Sequence, residues 1–108
     1  MQRPENELDI QQLRASAEAA GQLLKVLANP DRLLLLCQLS QGELNVTDLE
    51  ALSGIQQPTL SQQLAVLRSK SMVETRRAGK QVYYRISSSA ALAVIHVLYQ
   101  HFCAGDAK

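Results

Sequence analysis

Residues 45–68, NVTDLEALSGIQQPTLSQQLAVLR, constrain the fold most strongly because they indicate two short helices joined by a tight turn. Asn45 can cap the first helix, and Gly54 is placed to close it. Pro58 suits the first turn of the second helix, where leucines recur at helical spacing: Leu60, Leu64 and Leu67. The pattern predicts a helix-turn-helix whose second helix is a recognition helix.

The polar face of the predicted recognition helix carries hydroxyls and amides, which can bond to both bases and phosphates in a major groove. We predict DNA contacts from this face and from the two glutamines at its entry: Gln56, Gln57, Thr59, Ser61, Gln62 and Gln63. These residues alone leave one alternative open, an ordinary helical hairpin with a solvated polar face.

The charge distribution favours DNA binding. The net charge of the chain is +1, yet residues 1–50 hold four basic and eight acidic side chains and sum to −4. Residues 51–85 hold six basic side chains and one acid, and sum to +5. A positive field around the recognition helix indicates phosphate binding, while the small total argues against indiscriminate adhesion to nucleic acid. The chain has one Phe, three Tyr and no Trp, so few aromatic side chains are available on which the bases of single strands or RNA could stack.

Two further helices are predicted before this region. From Leu8, apolar and small residues follow alternating steps of three and four: Ile10, Leu13, Ala17, Ala20, Leu24 and Leu27. This stripe exceeds the needs of a small core, so we predict a subunit interface; the alternative is packing within one chain. Asn29 and Pro30 then serve as cap and first residue of a second helix over residues 31–41. That helix is apolar on nearly all sides, which predicts the centre of the core.

After Lys70 the apolar period changes from 3.6 to 2, which predicts two strands over residues 72–77 and 81–86. Residues 78–80 form the turn of this hairpin, and cations gather near it: Arg76, Arg77 and Lys80. A cationic hairpin directly after a recognition helix is typical of a wing that lies along the DNA backbone or minor groove. A solubilising charged edge is the alternative.

A last helix is predicted from Ala90 to about Phe102, and we expect it beside the first helix at the subunit interface. One domain then spans residues 8–103, with disordered ends at residues 1–7 and 104–108. The N-terminus is polar and acidic, and no apolar run reaches bilayer length. We therefore expect a cytoplasmic protein with reduced cysteines and no membrane contact.

The order of helices, helix-turn-helix, wing and closing helix resembles the ArsR family of bacterial winged-helix repressors. The resemblance covers residues 8–103 and rests on three strings: LLKVLANPDRLLLLCQL, ELNVTDLEALSGIQQPTLSQQLAVLRSKSMV and AGKQVYYRI. It implies a mainly α winged helix-turn-helix with a small β-hairpin, dimeric through the first and last helices. It also implies a palindromic double-stranded DNA operator and release from it when an inducer acts.

Transferred by position, the resemblance places four residues on the operator, Gln57, Thr59, Ser61 and Gln62, with the three cations at the wing. The chain departs from the family pattern at two positions. The family often has Ser where this chain has Gln56, and His where it has Gln63. The helix cap and the base preference carried by these two positions therefore differ from the common pattern.

The two cysteines carry a second resemblance. Cys37 in LLLLCQL, paired with Cys103 near the C-terminus, resembles a dithiol subgroup of the family that responds to reactive sulfur species or oxidants. The resemblance implies that a disulfide, or a bridge through extra sulfur atoms, ties the second helix to the last and shifts the dimer between states of different DNA affinity. The residues themselves leave open that Cys37 is ordinary core packing, because free cysteine is commonly buried.

The sequence predicts no metal site and no cofactor. The Cys-x-Cys of metalloid-sensing relatives is absent from ELNVTDL, and His96 and His101 lie about 140° apart around a helix. A site that combines Cys37, Cys103 and a histidine stays open. An antirepressor that activates genes and a protein-interaction module without DNA binding are the competing functions. An enzyme is not predicted, because no phosphate-binding glycine loop or nucleophile signature is present.

Overall fold

The computed structural model describes residues 9–103, which form a mainly helical winged helix-turn-helix. The elements in chain order are α1 (Ile10–Leu27), α2 (Pro30–Leu39), β1 (Leu44–Asn45), α3 (Val46–Ser53), α4 (Thr59–Ser69), β2 (Val73–Ala78), β3 (Gln81–Ile86) and α5 (Ser89–Phe102). The predicted helix-turn-helix is α3 and α4, so this prediction is confirmed. Leu8 and the ends predicted to be disordered, residues 1–7 and 104–108, lie outside the described residues.

Short polar side chains begin most of the helices. The Asn29 side chain accepts a hydrogen bond from the Arg32 N–H, and the Asn45 side chain accepts one from the Asp48 N–H at 2.7 Å. Both predicted caps are confirmed, and Gly54 closes α3 in the left-handed conformation with φ +74°. A glycine fits there because an L side chain would be strained.

The core is built from the inner faces of α2, α3, α4 and α5. Its most deeply buried large side chains are Leu35, Leu36, Leu49, Leu60, Leu64, Leu67 and Ile95. The prediction that α2 is surrounded on all sides needs correction, because Leu34 is 40% exposed. The helix also ends at Leu39 rather than at residue 41, since residues 40–42 already turn toward β1.

The wing is part of a three-stranded antiparallel sheet with the order β1-β3-β2. The predicted two-stranded hairpin is therefore incomplete. β1 has two residues, paired as Leu44 with Tyr84 and Asn45 with Tyr83, and two residues are too few to show a period in the sequence. The predicted hairpin turn is present, but it is one residue shorter than predicted, because β2 runs over Val73–Ala78 and Ala78 pairs with Gln81; Gly79 adopts φ +63° within the turn.

Most of α1 lies on the surface of the single chain. Val26 and Leu27, at its C-terminal end, are its buried residues, whereas Ile10, Leu13 and Leu24 are exposed. α5 likewise exposes Val97, Tyr99 and Phe102. The predicted subunit interface through α1 and α5 stays a prediction. None of the described helices is both long and apolar enough to cross a membrane.

Candidate DNA-binding surface and cysteine pocket

The recognition helix α4 separates an apolar face from a polar one. Its buried leucines, Leu60, Leu64 and Leu67, fix it on the core. The rest of the helix surface is polar and exposed. Most of the residues predicted to contact DNA are exposed, either on α4 or at its entry: Gln56, Gln57, Thr59, Ser61 and Gln62. These side chains are therefore accessible on and beside a helix, an element that a major groove admits.

Gln57 caps the recognition helix. The sequence predicts Pro58 within the first turn of the helix, but Pro58 lies at the N-cap position, just before Thr59. Its side chain has no hydrogen-bonding group. The Gln57 Oε1 instead accepts hydrogen bonds from the Ser61 N–H at 3.1 Å and from the Ser61 hydroxyl at 2.7 Å. Gln57 and Ser61 therefore hold each other in place at the edge of the exposed face, and one orphan N–H of the helix gains a partner.

Gln63 differs from the other predicted DNA contacts because it is half-buried. Its Oε1 accepts a hydrogen bond from the Arg32 Nη1 at 3.0 Å, and the Arg32 Nε donates to the Val26 carbonyl at 2.6 Å. Arg32 was not among the residues predicted from the sequence. The available signal was a lone arginine at the start of an otherwise apolar helix, NPDRLLLL.

The three cations predicted at the wing have different environments. Arg77 and Lys80 are exposed beside the turn. Arg76 lies further from the turn, where its Nε and Nη2 each donate to the Glu43 carboxylate at 2.8 Å. This Arg76 side chain also lies 4.6 Å from the centre of the Tyr83 ring, and its hydrogen bonds lower the pKa of Glu43. Arg76 is thus paired with an acid of the same chain, and its contact with DNA stays a prediction.

Cys37 and Cys103 line the same apolar pocket of about 320 Å³, although 66 positions separate them in the sequence. Cys37 lies half-buried on α2, and Cys103 is exposed at the end of α5. The other lining residues are Leu33, Leu98, Tyr99 and Phe102. Burial raises the pKa of the Cys37 thiol, and the nearby Cys103 sulfur acts in the same direction. Neither thiol takes part in a disulfide.

Among residues 9–103, the histidine, cysteine and acidic side chains form no group of three or more that could hold a metal ion. His96 and His101 are both exposed on α5. The arrangement at the end of α5 offers thiol chemistry.

A winged helix-turn-helix with an exposed polar recognition helix defines the class of DNA-binding transcription regulators rather than a class of enzymes. Residues 29–75 match the family described as bacterial regulatory protein, arsR family. The chain belongs to the ArsR family, and the predicted membership is confirmed.

Three similar proteins are informative. The biofilm growth-associated repressor of Agrobacterium fabrum is 48% identical over 100 residues, which cover 93% of this chain and 86% of that protein. The transcriptional activator HlyU of Vibrio cholerae is 36% identical over 96 residues, 89% of each chain. The crystal structure of the transcriptional repressor BigR from Xylella fastidiosa superposes with a TM-score of 0.82 at 45% identity, covering 90% of this chain and 96% of that one.

Proposed function

We propose that this chain is a homodimeric transcriptional repressor that occupies a palindromic DNA operator and leaves it when Cys37 and Cys103 are oxidised or persulfidated. One observation carries the proposal, the placement of both cysteines in a single apolar pocket between α2 and α5. Two relatives named as repressors, from Agrobacterium fabrum and Xylella fastidiosa, support the repressor role.

DNA binding would combine base and phosphate contacts. The exposed residues of α4 and its entry face the major groove in this proposal, while Arg77 and Lys80 lie near phosphates from the tip of the wing. In a symmetric dimer the two recognition helices lie one helical turn of DNA apart, about 34 Å, so the operator is a palindrome.

The chemistry begins at the more accessible sulfur. The exposed Cys103 thiolate attacks a sulfur of an inorganic polysulfide, breaks that S–S bond and becomes a persulfide, while the shortened polysulfide leaves. The Cys37 thiolate then attacks the inner sulfur of the persulfide and releases hydrosulfide. Two protein thiols are oxidised, one S–S bond of the polysulfide is reduced, and a Cys37–Cys103 disulfide remains. A longer bridge forms where further sulfur atoms are retained.

The link would change DNA affinity through the shape of the dimer. Joining Cys37 to Cys103 ties α2 to the last turn of α5, and α5 exposes apolar side chains that fit a subunit interface. A small rotation of α5 at that interface changes the distance between the two recognition helices. The dimer then no longer matches one helical turn of DNA.

The test measures DNA affinity as a function of the oxidation state. Binding sites are first selected with the reduced protein from a random double-stranded oligonucleotide library. Affinity for the selected site is then measured by fluorescence anisotropy before sodium tetrasulfide treatment, after it, and after re-reduction. We expect a loss of at least tenfold that re-reduction reverses, with the Cys37–Cys103 link seen by mass spectrometry.

Two matched variants serve as controls. Cys37→Ser and Cys103→Ser should bind the selected site as tightly as the reduced wild type and keep that affinity after treatment. Release of either variant by tetrasulfide would contradict the thiol mechanism.

A second role, antirepression, is favoured by the name of one relative, the transcriptional activator HlyU. An antirepressor uses the same DNA-binding surface but displaces another repressor. Deletion of the gene separates the two roles, because transcripts of the bound promoters rise when a repressor is lost and fall when an antirepressor is lost.

A further inference from the structure

The guanidinium of Arg32 joins three helices. Its Nε donates to the Val26 carbonyl in the last turn of α1, and its Nη1 donates to the Gln63 Oε1 in the middle of α4. Arg32 itself lies in the first turn of α2 and is half-buried. The Val26 carbonyl is one of the last four of its helix and has no partner within it, so the arginine satisfies an orphan acceptor.

Reading a base through the amide oxygen of Gln63 would require this half-buried side chain to share or give up its hydrogen bond to Arg32. A glutamine reads adenine through a pair of bonds, one of them accepted by the amide oxygen from the adenine amino group. The oxygen of Gln63 is already bonded to a cation inside the protein, whereas the neighbouring Gln62 is exposed and has no such tie. A bond to a charged donor is stronger than one between neutral groups.

We propose that Arg32 is a positioning residue for DNA recognition and that Gln63 is the anchor through which it fixes α4, not a reader of bases. One rigid planar group, held at the end of α1, sets the rotation of α4 about its own axis. The exposed residues Thr59, Ser61 and Gln62 are thereby aimed at the groove.

The same residue connects the cysteine pocket to the recognition helix, an extension that rests on the proposed function. Arg32 and Cys37 lie five residues apart on α2, roughly 7.5 Å along one helix axis. A helix of this length moves as one body, so a displacement of α2 at Cys37 reaches Gln63 through the guanidinium.

The first test uses reduced protein and the selected DNA site. Gln63→Met keeps the length of the side chain and removes the acceptor, and Gln62→Met is the matched control on the exposed face. If Gln63 is an anchor, Gln63→Met binds the site roughly tenfold more weakly, the effect of about 1.4 kcal/mol, and selects the same base sequence as the wild type. Gln62→Met instead alters the base preference at one position.

Arg32→Lys completes the cycle. Both changes break the same hydrogen bond between Arg32 and Gln63. The double variant Arg32→Lys/Gln63→Met should therefore bind DNA no more weakly than the single variant with the lower affinity. Additive losses, or a changed base preference in Gln63→Met, would overturn the proposal. If Arg32→Lys does not fold, the base preference of Gln63→Met decides the matter by itself.

The second test addresses the connection to the cysteines. We expect the ratio of reduced to tetrasulfide-treated affinity to fall at least threefold in Gln63→Met relative to the wild type. An unchanged ratio would show that Arg32 transmits nothing. A wild type without any response to tetrasulfide would contradict the proposed thiol function, whereas the first test, made on reduced protein, would still stand.

Discussion

At the scale of single residues, the chemistry of Cys37 depends most on its surroundings. The half-buried thiol on α2 shares a pocket with Leu33 and the apolar end of α5, and burial disfavours its charged form. A raised pKa leaves less thiolate at neutral pH, and the thiolate is the nucleophile. The exposed Cys103 therefore reacts first in the proposed mechanism, and Cys37 closes the link.

The first prediction concerns the pH dependence of Cys37 alkylation. Below its raised pKa the thiolate fraction, and with it the rate, grows roughly tenfold per pH unit, and the rise continues beyond the pH at which glutathione levels off. Iodoacetamide labelling of reduced protein, read for each cysteine by mass spectrometry, gives this profile. Protein unfolded in urea is the control, since Cys37 should then follow glutathione. A folded-state profile that levels off with glutathione would disprove the effect of burial.

At the scale of elements, the wing has a fixed base and a free tip. β1 pairs with β3, and the ion pair between Arg76 and Glu43 joins β2 to the segment just before β1. A second ion pair joins Glu74 on β2 to Arg85 on β3. Both pairs are exposed and contribute little stability, but they pair two cations of the wing with acids of the same chain. Arg77 and Lys80 remain as the cations beside the turn.

The second prediction concerns the salt dependence of DNA binding. Arg77→Gln and Lys80→Gln should each reduce the slope of log affinity against log salt by about 1.8, because each subunit of the dimer loses one phosphate contact of about 0.9. Affinity should fall by a similar factor for every DNA sequence, because phosphates carry no base information. Arg14→Gln, on α1, is the matched control and should leave the slope unchanged. If Arg77→Gln and Lys80→Gln keep the wild-type slope, as the Arg14→Gln control should, the wing is a solubilising charged edge.

At the scale of the whole molecule, the single chain leaves an unusual amount of apolar surface on two helices. Leu13 is 49% exposed on α1 and Phe102 is 70% exposed on α5, with further apolar residues beside them. A chain of 108 residues has a modest core, and burial between subunits adds to it. The proposed homodimer would cover these faces and set the distance between the two recognition helices.

The third prediction concerns subunit association. Leu13→Glu places a charge in the apolar stripe of α1 and should convert a dimer into monomers at micromolar concentration, with at least a tenfold loss of affinity for the palindromic site. Gln22→Glu adds the same charge on the opposite side of the helix and should change neither property. Sedimentation velocity measures the mass. A monomeric wild type, or a Leu13→Glu variant that stays dimeric, would reject this interface.

Local patterns in the sequence were sufficient to predict the main elements. The leucine spacing of α4, the caps Asn29 and Asn45 and the turn at Gly79 each depend on neighbours in the chain, so their structure follows from nearby residues. β1 was missed because it pairs with β3, a partner distant in sequence, and because a two-residue strand carries no detectable period.

The sequence by itself determined the helix-turn-helix and the hairpin after it, because periodicity, caps and turns are local and recur at fixed spacing, and its strings carried the resemblance to the ArsR family. Only the tertiary structure decided which polar groups are free. In the folded chain Gln63 is hydrogen-bonded to Arg32, Arg76 forms an ion pair with Glu43, and Cys37 and Cys103 line one pocket. The physical reason is that a hydrogen bond, an ion pair or a shared pocket requires proximity in space, and spacing along the chain does not encode it.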